Sequence, residues 1–295
     1  MNSSDSSKAA KSLGEFVEQA LRVRQLWIDQ HGQESTENKD QAEDWTSTKP
    51  FWKPWFRGHE HVEWQLQPKL YRANESNVEK LFEFEEELRS DFKRRGSQLA
   101  EGLNLPAYQD DWGWYSLMQH YGAPTRILDW TDGALTALYF AVRGTQKDAE
   151  TADACVWMLD PYRLNRLTFY PPDDWAGVAL PDWPAAKQYL PELFAGQELL
   201  REYPLAIDPP HGFRRLSSQR GHFTVFGARL NGLDELQERS QFLLERITIP
   251  SAVVPNIKSD LEFCGISEAT IFPDLEALGR ELDLLWKSNF SGIHG

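Results

Sequence analysis

The stretch TDGALTALYFAV, residues 131–142, constrains the fold more than any other part of the chain. Beyond Gly133 it is apolar at nearly every position, so a helix formed there must be buried on most of its sides. At this length it falls far short of the roughly 20 apolar residues a membrane span needs. Directly before it stands HYGAPTRILDW, His120 to Trp130. Within it only Ile127 and Leu128 are plain core material, and the rest is a dense mixture of His, Tyr, Gly, Pro, Thr, Arg, Asp and Trp. Polar groups gathered at the mouth of a buried helix suit the wall of a ligand cleft, with the helix behind as rigid support.

The flanking pattern fills in the architecture. Ser12 is placed to cap a first helix carrying Phe16, Ala20, Val23 and Trp27 at helical spacing. Residues 30–48 are polar and almost free of aliphatics, which predicts a linker or long loop. The first helix is then either an appended, partner-binding element or a piece packed on the main domain. FWKPWFRG reads as a strand entering a glycine turn, and WQLQPKLYR as a second extended piece. NVEKLFEFEEELRSDFKRRG predicts a helix ending at Gly96, with EFEEEL as its solvated face. DWGWYSLMQHYG predicts another, closed by Gly122 and Pro124. TRILDW is short and extended, and Thr131 or Asp132 caps the buried helix.

ADACVWMLD is a strand, and 165–210 is a long loop region with short helices. Strands at 221–228 and 241–250 follow, then a helix near 251–264 and a last helix from Pro273, at its first position, to Trp286. Without regular βαβ alternation the expected class is α+β, a mixed or antiparallel sheet core with flanking helices. The expected organisation is an N-terminal helix and linker over 1–48 and one domain over 49–295.

Composition narrows the function. A net charge of −14 argues against a generic basic surface for nucleic acid. Only FKRRG at 92–96 and FRRLSSQRG at 213–221 offer short basic tracks. Cys155 and Cys264 sit in apolar surroundings and read as buried thiols, with no ligand cluster around either to suggest a metal. The start has no apolar signal region, and a cytoplasmic protein without a membrane segment is expected. Dinucleotide, P-loop, HExxH and GxSxG motifs are all absent from the sequence.

Three places can carry chemistry. Arg57, at a strand end before Gly58, is suited to hold an anion through its guanidinium fork, with Gly58 letting a ligand approach the backbone. A structural ion pair with one of the many acids is the alternative. In the second place, Arg126 or the amides of the following helix can hold an anion. There His120 can act as acid, base or hydrogen-bond donor, unless it is a core histidine and Arg126–Asp129 a salt bridge. Gln219 lies where a loop enters the strand at 221–228.

FRG at 56–58, QHYGAPTRILDWTDGALTALYFA at 119–141 and QRGHF at 219–223 together resemble the FRG domain, named for its Phe/Tyr-Arg-Gly motif. The resemblance continues through VWMLD and GISEATIFPDLEAL, over roughly residues 50–280. The family occurs in bacteria, phages and defence-like loci, and its motif order is similar to that of ADP-ribosyltransferases.

That likeness implies a possible ADP-ribosyltransferase-like fold with NAD as substrate. Arg57 would bind the diphosphate or adenylate ribose, with Gly58 beside it. The 120–130 segment, with Thr125 and Arg126, would line the nicotinamide side, and Tyr121 or Trp130 would be a stacking ring. Gln219 would take the position of the usual late Glu; since Gln cannot act as a base, Asp129 or His120 would orient the ribose or activate the acceptor. The implied activity is that of a toxin or phage-defence effector, modifying protein or nucleic acid and held in check by an antitoxin or regulatory protein. A nuclease or NAD glycohydrolase in the same cleft, or a non-catalytic nucleotide- or protein-binding sensor, are the competing expectations.

Overall fold

The structure, a computed structural model, describes residues 9–37, 53–99, 105–144, 152–169, 177–191, 201–208, 221–238, 240 and 242–290. Its centre is a six-stranded sheet in the order β4-β5-β2-β1-β3-β6, with every neighbouring pair antiparallel. The strands are β1 (Trp55–His59), β2 (Ile127–Thr131), β3 (Ala154–Leu159), β4 (Leu205–Ile207), β5 (Gly221–Val225) and β6 (Leu244–Ile249). The helices are α1 (Leu13–Glu37), α2 (Val78–Leu99), α3 (Asp111–His120), α4 (Ala134–Val142), α5 (Pro161–Thr168), α6 (Pro184–Lys187), α7 (Val254–Phe263), α8 (Glu268–Ile271) and α9 (Leu275–Phe290). This is an α+β protein, as the irregular alternation of the sequence predicts.

Two apolar clusters flank the sheet. One gathers Phe56, Val156, Met158, Ile247 and Ile249 with residues of α1, α4 and α7. The other gathers Trp55, Trp157, Leu159 and Leu244 with residues of α3 and α5. Strand β3 is buried at every position, because both clusters close on it. The apolar stretch forms α4 against β1, and Gly58 permits that contact: a Cβ there would stand 2.0 Å from the Ala137 carbonyl oxygen.

The first helix is part of this body. Phe16, Ala20 and Trp27 are buried in the α4–α7 cluster, and Ala10 N donates to Thr248 O at 2.8 Å. His31 meets Asp160 at 2.5 Å in the interior, while Asp160 also caps α5. The helix continues to Glu37, so the linker expected from residue 30 begins later; the stretch 38–48 lies outside the described residues. Ser12 caps as expected, accepting from Glu15 N.

Several local expectations are corrected. Helix α2 passes through Gly96 to Leu99, because Gly96 lacks the positive φ that would stop it. Residues 69–72 form a 3₁₀ turn rather than an extended piece, since Leu70 and Tyr71 both turn into the core. Helix α4 is capped at Gly133, with the Thr131 hydroxyl accepting from Gly133 N and Asp132 paired instead to Lys53. Strand β4, inside the expected loop region, pairs with β5. Asp274 caps the last helix, so Pro273 precedes it, and the helix continues to Phe290. Cys155 is buried, and burial pushes its thiol up to about 12. Cys264 is exposed at the end of α7, where the chain has already turned away from the core.

The largest correction concerns EFEEEL. Glu85 has no exposed surface, because it follows Leu81 and Phe82 on the inward stripe of α2.

Candidate functional site

Strands β1 and β2 pair at one position only, Phe56 with Thr131. Beyond it β1 continues along β3, residue by residue to His59, while β2 continues along β5. The two strands therefore part just where Arg57 and Asp129 stand. A cleft of about 470 Å³ opens there, within the size range of small-molecule sites. Helix α3 supplies Ser116, Gln119 and His120 to one wall, and α4 supplies Ala137 and Phe140 to the other. Trp64, Phe223 and Phe272 add aromatic surface.

Arg57 is held in place without a carboxylate. Its Nε donates to His59 Nε2 at 3.1 Å, and its Nη1 donates to the Asp129 main-chain carbonyl at 2.6 Å. The guanidinium thus spans the gap between the parted strands. His59 has its other nitrogen, Nδ1, against the Trp64 carbonyl at 3.2 Å. Burial, followed by the charge of Arg57, pushes the His59 pKa down to about 3, so the ring is neutral, with Nδ1 protonated and Nε2 accepting. Burial also lowers the Arg57 pKa, against the pull of Asp129. No hydrogen bond from Nη2 occurs among the described residues, which leaves that edge of the fork for a ligand.

Asp129 sits on the floor of the cleft. Its tip is open to solvent, but protein surrounds it on the other sides. That crowding raises its carboxyl pKa, opposed first by Arg57 and then by Gln119. Gln119 Nε2 donates to Asp129 Oδ2 at 2.7 Å. The amide is oriented by the Thr125 hydroxyl, which donates to Gln119 Oε1 and accepts from Ile127 N. His120 is close enough to act on Asp129 electrostatically. The Ser116 hydroxyl is buried beside them and has no partner among the described residues. Ser116, Gln119 and His120 share one face of α3 because they are three and four residues apart.

Of the residues expected here from sequence, Arg57, Gly58, His120 and Asp129 line the cleft together. Others take different roles. Arg126 is fully buried: Nε donates to Glu85 Oε2 at 2.6 Å, Nη1 to Phe226 O at 2.9 Å and Nη2 to Tyr189 O at 2.6 Å. Burial works against its charge, but Glu85 and two nearby tyrosines outweigh it and raise its pKa. Each of its three nitrogens donates inside the core, where no part of it is exposed, so it is not placed to bind a ligand anion. Gly58 lines the cleft as well as making room for α4. Thr125 is buried and positions Gln119. Tyr121 is exposed and packs near Phe92 and edge-on to His120, without itself lining the cleft. Trp130 touches the cleft, but its indole is buried and donates to Thr224 Oγ1, so it offers no open ring.

Gln219 and the basic residues 213–220 lie outside the described residues. The other basic track is occupied: Arg94 and Arg95 pair with Asp91, and Lys93 pairs with Asp111. Sequence reasoning missed His59, Arg72, Ser116 and Gln119. His59 was legible as the residue two after Arg57 on the same strand, and hence on the same face. Ser116 and Gln119 were legible from their spacing to His120. Arg72, contributed by the 3₁₀ turn, left no local signal.

Among the described residues no group of three or more His, Cys, Asp or Glu is placed to hold a metal ion. None of the helices described is long and apolar enough to cross a membrane. A search of curated proteins gives no match, and neither does a search of solved structures. A family model described as the FRG domain matches residues 53–150. The match takes in β1, α3, β2 and α4, and with them Arg57, Gln119, His120 and Asp129. Both walls of the cleft lie inside the matched residues, which make up about a third of the chain.

Proposed function

We propose that this chain is an NAD-dependent ADP-ribosyltransferase. One observation carries the reading: a pre-positioned arginine with an uncommitted edge and a carboxylate share the floor of one aromatic-walled cleft. Arg57 would take a phosphate of NAD, with no salt bridge to break first. Asp129, fixed by Gln119, would hold a hydroxyl of the nicotinamide ribose. The reaction breaks the bond between the ribose C1′ and the nicotinamide nitrogen, which leaves with the bonding electrons. The acceptor nucleophile bonds to C1′ and gives up its proton. The carbon between them becomes oxocarbenium-like, and a nearby carboxylate stabilises that charge. The raised pKa of Asp129 also brings it closer to a group able to accept the acceptor's proton. Aromatic surface at Phe140 and Phe272 suits the flat rings of the dinucleotide.

As an effector, the enzyme would modify a protein or nucleic acid of a host or invader, under the control of an antitoxin or regulatory protein. The occurrence of the family it resembles in defence-like loci is the ground for this part. A sensor that binds nucleotide without turning it over is the second reading. It is favoured by Glu60, the other carboxylate in the cleft lining, being engaged with Arg143 at 3.4 Å.

Purified protein incubated with labelled NAD and a pool of cell protein, RNA and DNA tests the proposal. Label transferred to one fraction, and lost in Arg57→Ala, is the expected result. Free nicotinamide without transfer would identify a glycohydrolase. Intact NAD that still raises the melting temperature would identify the sensor.

A further inference from the structure

Arg57 has a companion. Arg72, at the end of the 3₁₀ turn, lines the same cleft. Its guanidinium, like that of Arg57, is anchored by neutral partners: Nε and Nη2 both donate to the Gln67 carbonyl, at 3.1 and 2.9 Å. Neither arginine makes an ion pair among the described residues. In a chain of 45 acidic and 31 basic residues, carboxylates are abundant, and arginines elsewhere do find them. The two positive charges are near enough to act on one another, which further lowers the Arg57 pKa. Asp129 pulls on Arg57 against this, but no carboxylate pairs with Arg72 among the described residues, so an anion joining the two guanidiniums is favoured. His59, near enough to feel both charges, is neutral and supplies no second anchor for a negative group.

We propose that Arg57 and Arg72 form a two-armed cradle for adjacent phosphate groups, so that the cleft selects a diphosphate over a monophosphate. Each arm keeps a free edge, Nη2 on Arg57 and Nη1 on Arg72, and each edge can donate to a different phosphate. A single phosphate can satisfy one arm well and leaves the other unneutralised. Two linked phosphates satisfy both. Arg72 is then the residue that sets ligand class, and Asp129 meets what lies beyond the diphosphate. The cradle rests on the cleft reading above for its Arg57 arm, but not on any transfer chemistry.

Calorimetric titration of the full chain at low salt tests it, with inorganic pyrophosphate, orthophosphate, ADP-ribose, AMP and NAD as probes. Pyrophosphate and ADP-ribose are expected to bind at least roughly tenfold more tightly than orthophosphate and AMP, the effect of one added charged hydrogen bond. Arg72→Ala should erase that preference. Should Arg72→Ala disturb the turn, Arg72→Gln keeps a donor toward Gln67 O while removing the charge, and must erase the preference equally. Equal binding of pyrophosphate and orthophosphate to the unaltered chain overturns the cradle, as does a preference that survives both variants. Pyrophosphate selectivity without NAD binding upholds the cradle and removes the transferase reading.

Discussion

Arg57 and Arg126 are alike in sequence: each lies in or directly beside a short strand and among the residues that suggest an anion site. Their surroundings make them opposites. Arg126 is sealed in the core, with Glu85 and two main-chain carbonyls absorbing its donors. Arg57 is held by a neutral histidine and one carbonyl at the point where β1 and β2 part. The first arrangement is a structural ion pair: removing either partner leaves an uncompensated buried charge. The second keeps a charge available. An arginine's function is decided by which of its hydrogen-bond donors the fold has already used.

The contrast can be broken most forcefully at its buried end. Arg126→Ala or Glu85→Ala should lower stability by about 3–5 kcal/mol, read as a shift of the urea midpoint. A loss below 1 kcal/mol would mean that the core does not depend on the pair. Gly58→Ala comes next. Its Cβ would press into the backbone of α4, and overpacking of this kind costs about 1–3 kcal/mol. The expected accompaniment is weaker nucleotide binding, because the helix that must shift is a cleft wall. Melting curves of the variant with and without NAD check both effects.

The pH dependence of stability sharpens the picture around Arg57. The His59 pKa falls from an ordinary 6.5 to about 3 in the folded state. The unfolded chain therefore binds this proton first as pH drops. The stability contributed by neutral His59 is complete above 6.5 and is lost progressively as pH falls from 6.5 toward 3. In His59→Gln the decline over that window should be shallower than in the unaltered chain; equal slopes would show that His59 titrates freely. Gln119→Leu should cost about 1 kcal/mol for the lost hydrogen bond. It also removes a group that lowers the Asp129 pKa, so the acidic limb of any activity profile should move to higher pH. Arg57→Ala is expected to have the smallest effect on stability, at most about 1 kcal/mol, while abolishing ligand-induced stabilisation. A variant that melts like Arg126→Ala would make Arg57 a structural residue as well.

The reading of Arg57 as an anion site and of His120 to Trp130 as a cleft wall rests on short-range pattern: motif residues beside a glycine, polar groups before a buried helix. The structure keeps the cleft but changes its personnel. Tyr121, Thr125, Arg126 and Trp130 are neighbours in sequence, yet alternate side-chain directions send Arg126 and Trp130 into the core and Asp129 to the cleft floor. Only the partner elements decide which direction faces a cavity. Glu85 shows the same limit. Its place after Leu81 and Phe82 put it on an apolar stripe, but the surrounding acids concealed its burial.

By itself the sequence determined the elements whose causes are local. It set the helix buried by its own composition, the α3 terminus at Gly122 with φ +75°, the Ser12 cap and most of the strands. These depend on contacts within a turn or two, where propensity and periodicity act. Tertiary structure alone decided the parting of β1 from β2, the pairing of Glu85 with Arg126 and the meeting of Arg57 with Arg72. Each depends on strand pairing and helix packing between residues far apart in the chain. The free energy of a charged group is fixed by what surrounds it in space, and no local window of sequence contains that information.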